Sequence, residues 1–387
     1  GEYKNSEIRA NKIIVNDNLR VAGFINASNI TIIGTLGPEN NGNNLGADTK
    51  NLGANLTIIA DEINLSKTGV ISGTGLSIAA NFVDFGGAGA NINITANTMY
   101  FDGNISLDGG DHQGGAGSGS GGNSGTLILT ITNSFNINGN IFARGGTADT
   151  DTCDNVDNGI RGDGGSVIIK NKNALAIIGS IETNPATGSC RTGVYKKSEI
   201  YAQKINGTNV KVAGIINASN ITITGVYGPD NHGLNTGTGG NRDEPANLTI
   251  KAEILNLTAT GLISGKGKNL GAAESQFAGA GATINITATT FYFDGNISLD
   301  GGDHEGGANT GSGGNAGTLT LNVTNSFDIN GNILARGGTA DSDTCDNIDN
   351  GFRGDGGKVV IANKNALAIT GSIETNPGEV SSCRSGV

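Results

Sequence analysis

The chain has 387 residues, a net charge of −11, 66 glycines and only 5 prolines. Its acidity excludes a nucleic-acid partner, which needs a basic face, and electrostatic docking on anionic lipid. The scarcity of proline and the lack of a Gly-X-Y period exclude collagen, and no apolar run approaches the roughly 20 residues of a membrane span.

From the N-terminus, YKNSEI begins at Tyr3 and AGFINASNITI at Ala22. Alternating apolar residues then come in sets of three short runs. The first set is Leu56 and Ile58, Ile63 and Leu65, Val70 and Ile71. The next is Ile92 and Ile94, Met99 and Phe101, Ile105 and Leu107. Leu127, Leu129 and Ile131 follow, with Phe135 and Ile137, then Ile141 and Ala143. Val167 and Ile169, Leu175 and Ile177, and Ile181 make the last set. Each run has the period-two alternation of a strand of roughly three to five residues. Pro38, Pro185, Pro229, Pro245 and Pro377 all fall outside the runs, as interior strands require. Gly-rich segments beginning at Gly109 and Gly145 each follow a third run.

At Tyr195 the chain starts again. YKKSEI at Tyr195 answers YKNSEI at Tyr3, and AGIINASNITI at Ala213 answers Ala22. YFDGNISLDGGDH at Tyr100 recurs unchanged at Tyr292. ARGGTADTDTCDN at Ala143 returns at Ala335, and NKNALAIIGSIETNP at Asn171 returns at Asn363, each with one change. The offset is about 192 residues throughout, so residues 1–193 and 194–387 are two copies of one unit. Three short strands per turn of chain, each laid parallel on the turn below, describe an all-β parallel β-solenoid. One turn cannot bury its apolar face alone, but a stack can. The Gly-rich segments would then leave one corner and stack into a ridge. The competing architecture, a pair of β-sandwiches, needs longer strands joined by hairpins.

This rhythm of alternating runs, Gly-rich corners and restart resembles the coils of parallel β-helix cell-surface and adhesin-like proteins of bacteria and archaea. The resemblance implies an extracellular, elongated, right-handed β-helix and carries over no functional residue.

Each copy has two cysteines, Cys153 and Cys190, then Cys345 and Cys383. Both of a pair lie in loops one coil apart, and adjacent coils about 4.8 Å apart suit a disulfide. Disulfides Cys153–Cys190 and Cys345–Cys383 are therefore expected, and with them an oxidising compartment. A zinc site is the rival, without a Cys-x-x-Cys to support it; bonds between subunits are another. Glycosylation sequons point the same way. They stand at Asn26, Asn29, Asn55, Asn64, Asn93, Asn104, Asn206, Asn217, Asn220, Asn247, Asn256, Asn285, Asn296 and Asn322. An Asn- and Thr-rich chain also produces such triplets by chance.

Asp149, Asp151, Asp154 and Asp157 alternate with Asn and Gly, as do Asp341, Asp343, Asp346 and Asp349. Such loops can wrap calcium with oxygen ligands, although no Glu closes the run as in an EF-hand; a solvated turn is the alternative. Asp108, Asp111 and His112, repeated as Asp300, Asp303 and His304, offer carboxylates beside imidazole. They suit a transition metal, acid–base work or a polar turn. Arg161-Gly162-Asp163 and Arg353-Gly354-Asp355 spell a receptor-binding tripeptide that chance also supplies. No Gly-rich loop has the spacing of a nucleotide site.

The internal junction reads SCRTGVYKKSEI from Ser189 to Ile200. The end SCRSGV at Val387 followed by the start GEYKNSEI at Gly1 reproduces it with one extra residue. Head-to-tail contact of this kind yields a filament when it does not close. A self-assembling extracellular structural subunit is therefore expected, its partner being itself. An adhesin stalk, a carbohydrate-binding surface protein and a polysaccharide lyase or hydrolase are the other readings. The last needs clustered carboxylates or a placed base on one face.

Overall fold

Period-two alternation puts every second side chain on one face, and the structure turns that into columns. The computed structural model describes residues 3–39, 53–79, 86–113, 120–148, 162–186, 193–230, 246–271, 278–305, 312–340 and 353–378. Every regular element among them is a strand. The chain divides into two compact units, Gly1–Gly188 with Tyr195–Val212, and Ser189–Val194 with Ala213–Val387.

The long strands of the first unit are β1 (Asn5–Val15), β2 (Ala22–Ile32), β3 (Asn55–Leu65), β4 (Asn91–Phe101), β5 (Thr126–Ile131), β6 (Ser166–Asn171), β7 (Ala174–Glu182) and β8 (Lys197–Lys211). Those of the second are β9 (Ala213–Tyr227), β10 (Asn247–Leu257), β11 (Thr283–Phe293), β12 (Thr318–Val323) and β13 (Lys358–Asn363). These strands pair in parallel, which removes the hairpin-linked sandwich.

Register carries like onto like. Ile8 pairs with Ile25, Ile25 with Ile58, Ile58 with Ile94, Ile94 with Leu129, Leu129 with Ile169 and Ile169 with Ile200. From Ile25 to Ile200 every member is fully buried. A parallel column Leu19, Leu36, Ile71, Ile105, Ile141, Ile181 and Val210 runs through the third-run positions. In the second unit Ile216, Ile250, Ile286, Leu321 and Ile361 repeat the first column, and Tyr227, Ile263, Ile297, Ile333 and Ile373 the other. Each set of strands at one level forms a rung.

Two expectations are corrected. The first two runs of a set are not always separate strands: in β3 and β4 they join into 11 residues. The ladder continues there, pairing Ala60 with Ala96 and Glu62 with Thr98, and between them the Asn97 amide donates to the Asp61 carboxylate at 3.2 Å. In the next rung the runs do separate, as Thr126–Ile131 and Phe135–Ile137. Val70 also stays half-exposed, and only Ile71 of that run enters the core.

Beyond the third runs, glycines continue the stack. Leu76 O accepts from Gly87 N, Gly87 O from Gly110 N, Gly110 O from Gly122 N, Gly122 O from Gly146 N, and Gly146 O from Gly162 N, all at 2.8–2.9 Å. The second unit repeats this from Lys268 through Gly279, Gly302, Gly314, Gly338 and Gly354. The backbones lie so close that a Cβ on Gly122 would collide with the Gly87 carbonyl. The expected Gly ridge is therefore a hydrogen-bonded pile of glycine backbone, and the glycines are there for close approach.

Candidate functional site

The last described rung of the second unit is a surface of unusual chemistry. It consists of β13 with the short strands Leu367–Ile369 and Ile373–Glu374. Its inward side chains, Val359, Ile361, Leu367, Ile369 and Ile373, repeat Val167, Ile169, Leu175, Ile177 and Ile181 of the first copy. The five in the first copy are 0–1% exposed. Leu367 is 38% and Ile369 52% exposed, and the other three are only partly covered.

What covers the first set is β8. It pairs with both β6 and β7, setting Ile200 on Ile169, Ile205 on Leu175, Gly207 on Ile177 and Val210 on Ile181. Polar groups join in. The Val167 N–H donates to the buried Ser198 hydroxyl at 3.1 Å, and the Thr183 N–H to the Lys211 carbonyl at 3.0 Å. By sequence β8 begins the second copy, and its counterpart in the first copy is β1. There Ser6 is exposed and Ile8, Ile13 and Leu19 are only half-buried. Among the described residues, the apolar side chains of this rung and of β1 are thus less covered than their counterparts in the first copy's last rung and in β8.

The Asp-Gly-Gly-Asp-His segments serve the stack. Asp108 accepts the Arg144 N–H at 2.7 Å and pairs with its guanidinium, Nη2 to Oδ2 being 2.7 Å. This hydrogen bond raises the Arg144 pKa, and the guanidinium lies 4.3 Å from the Phe142 ring centre. Asp111 accepts from the Thr147 N–H and hydroxyl at 2.7 and 2.9 Å. Asp300 with Arg336 and Asp303 with Thr339 repeat both arrangements. His112 and His304 are buried; neither ring nitrogen of His112, and not Nδ1 of His304, has a hydrogen-bond partner. These carboxylates are occupied by the neighbouring rung, an arrangement suited to stacking rather than to acid–base chemistry.

All the sequon asparagines lie on strands and none is buried. Some are tied across rungs: Asn104 accepts from Asn140, Asn296 from Asn332, and Asn55 from Asn91, at 3.0–3.2 Å. Arg353 is buried while Asp355 is exposed, so that tripeptide is not displayed as a whole. Arg161 lies outside the described residues, as do Cys153, Cys190, Cys345 and Cys383. So do Asp149, Asp151, Asp154, Asp157, Asp341, Asp343, Asp346 and Asp349. Among the described residues no three His, Cys, Asp or Glu gather to hold a metal, and no helix is long and apolar enough to cross a membrane.

Sequence reasoning missed the burial of Tyr227. It opens the column Tyr227, Ile263, Ile297, Ile333 and Ile373, where the first copy has Leu36, and is fully buried with its hydroxyl unpartnered. Burial alone raises its pKa. No protein family, curated protein or solved structure matches the chain.

Proposed function

We propose that this chain is an extracellular structural protein, a building block of a surface filament or sheath. It is a right-handed parallel β-solenoid with three strands per coil in two tandem copies. Its end rungs join copies head to tail. The observation that supports this reading is the last rung, whose apolar side chains are open where those of its twin are sealed by β8. Strand β1 shares the sequence pattern of β8. Seated on the last rung in the same register, β1 and the short strand Asn18–Leu19 of a second copy would set Ile8 on Ile361, Ile13 on Leu367 and Leu19 on Ile373.

The magnitudes allow it. Covering five apolar side chains stabilises by at most about 1.5–3 kcal/mol each. Main-chain pairing adds to this, as in strand addition. The opposing loss of rigid-body freedom is about 4–15 kcal/mol. Such a contact is heterologous, and when it does not close it propagates. Disulfides Cys153–Cys190 and Cys345–Cys383, calcium in the Asp-rich loops and glycans on outward asparagines belong to the same extracellular reading.

The test is sedimentation velocity with electron microscopy of the purified chain over a concentration series. Concentration-dependent end-to-end polymers are expected. Discrete monomers at high concentration would overturn the proposal.

A further inference from the structure

Lys170 and Tyr201 are far apart in sequence, but parallel register makes them neighbours, and Thr130 is next to Lys170 on the other side. A cavity of about 520 Å³ opens here, lined by Thr130, Thr132, Lys170, Lys172 and Tyr201 over Ile131. Its shape follows from the backbone. Strands β5 and β6 stop at Ile131 and Asn171, where the Asn171 amide turns inward to donate to the carbonyls of Ile131 and Asn133 at 3.1 and 2.7 Å. Strand β8 continues unbroken past that point, and the half-exposed Tyr201 walls one side.

The charge is equally particular. Among the described residues, neither Lys170 nor Lys172 makes an ion pair. The carboxylate beside the groove, Glu199, is already held by Lys197 at 2.8 Å and approached by the Tyr201 hydroxyl at 3.4 Å. Its pKa is lowered, chiefly by that Lys197 contact. Lys170 also acts on Glu199 through space, but neither ammonium group is tied in an ion pair among the described residues, and together they flank an aromatic ring and two hydroxyls on a chain of net charge −11. The second copy has Ala362 in place of Lys170, so this arrangement is not a by-product of duplication.

We propose that this groove binds an acidic sugar, a carboxylated hexose unit of a polysaccharide. The apolar face of the sugar ring lies on Tyr201, its carboxylate is held by Lys170 and Lys172, and Thr130 and Thr132 bond its hydroxyls. Pockets of this size with a few convergent polar groups suit small ligands. An aromatic body with a polar tip suits a ligand that is apolar on one face and wet on the other. The groove uses no residue of β1 or of the last rung, so binding here neither needs nor implies association of copies.

The full chain is titrated by calorimetry at low salt with tri-galacturonate, with its fully methyl-esterified form, and with inorganic phosphate. Tri-galacturonate is expected to bind at least about tenfold more tightly than the ester, the ratio a single charge-assisted contact supplies. Lys170→Ala with Lys172→Ala should weaken it about tenfold or more. Tyr201→Ala should weaken it too, while Tyr201→Phe keeps the ring and the binding. These side chains are at the surface, and unchanged thermal unfolding verifies that the variants fold. The proposal is overturned by no heat or shift at about 10 mM ligand, a concentration beyond any affinity of use. Equal binding of acid and ester, or phosphate binding as well as the sugar and indifferent to Tyr201→Ala, overturns it equally.

Discussion

Ile177 and Ile369 occupy the same position in the two copies, yet Ile177 is 1% exposed and Ile369 is 52% exposed. The cause is a strand, not a residue: Gly207 of β8 lies over Ile177 in register. The neighbouring pair Leu175 and Leu367 tests this difference in cover. Leu175→Glu buries an unpaired carboxylate and is expected to cost about 3–5 kcal/mol in urea denaturation. Leu367→Glu should cost under about 1 kcal/mol in the isolated chain but abolish end-to-end polymers. Equal costs at the two sites would mean that the rungs do not differ in cover.

Tyr227→Phe removes a buried hydroxyl that has no hydrogen-bond partner. It should leave the stack intact and stabilise it by about 1 kcal/mol. A loss of stability would mean that the hydroxyl has a bonding role.

The same residue predicts an alkaline effect. Burial raises the Tyr227 pKa, so above pH of about 10 the unfolded state releases a proton that the folded state keeps. Stability is complete below that pH and falls as pH rises, by about 1.4 kcal/mol per pH unit for this one group. The difference between wild type and Tyr227→Phe in urea midpoints at pH 9 to 11 isolates it from the other tyrosines. Parallel curves would contradict the burial.

Gly122→Ala drives a methyl group into the Gly87 carbonyl. Because Gly122 bonds both neighbours in the glycine ridge, a loss of about 2 kcal/mol or more is expected, read as a fall in thermal midpoint. A neutral result would mean that the ridge is loosely assembled.

Asp108 and Arg144 form a half-exposed pair that also fastens two rungs. Salt screening limits the ion pair to about 1 kcal/mol or less. A double-mutant cycle with Asp108→Asn and Arg144→Met should give a coupling of that order that shrinks in 1 M salt. A larger, salt-insensitive coupling would mark the pair as desolvated.

Much of this was legible in the sequence. Ile58, Ile94, Leu129 and Ile169 announced a column because alternation and the spacing of sets repeat together, and the glycines announced a corner. Whether two runs join, as in β3, or part, as Ile131 and Phe135 do, was not legible. At Asp61 and Asn97 the ladder carries on, whereas at Asn171 an inward amide takes the carbonyls of Ile131 and Asn133. The groove was hidden for another reason: only register brings Lys170 to Tyr201. The opposite fates of Ile177 and Ile369 were also hidden, since their local sequences are nearly identical and cover comes from a different strand.

The most direct test of the central claim is a designed cross-link. Lys170 and Tyr201 are register partners, and their counterparts are Ala362 and Arg9. If β1 of one copy takes the place of β8 on the last rung of another, the Ala362→Cys, Arg9→Cys double variant will oxidise into a ladder of covalent multimers. Peptide mapping will find residue 362 joined to residue 9 of another chain, and neither single variant will give that ladder. Absence of the 362–9 link under conditions where the chains polymerise, or 362 joined to 362 instead, would contradict the account.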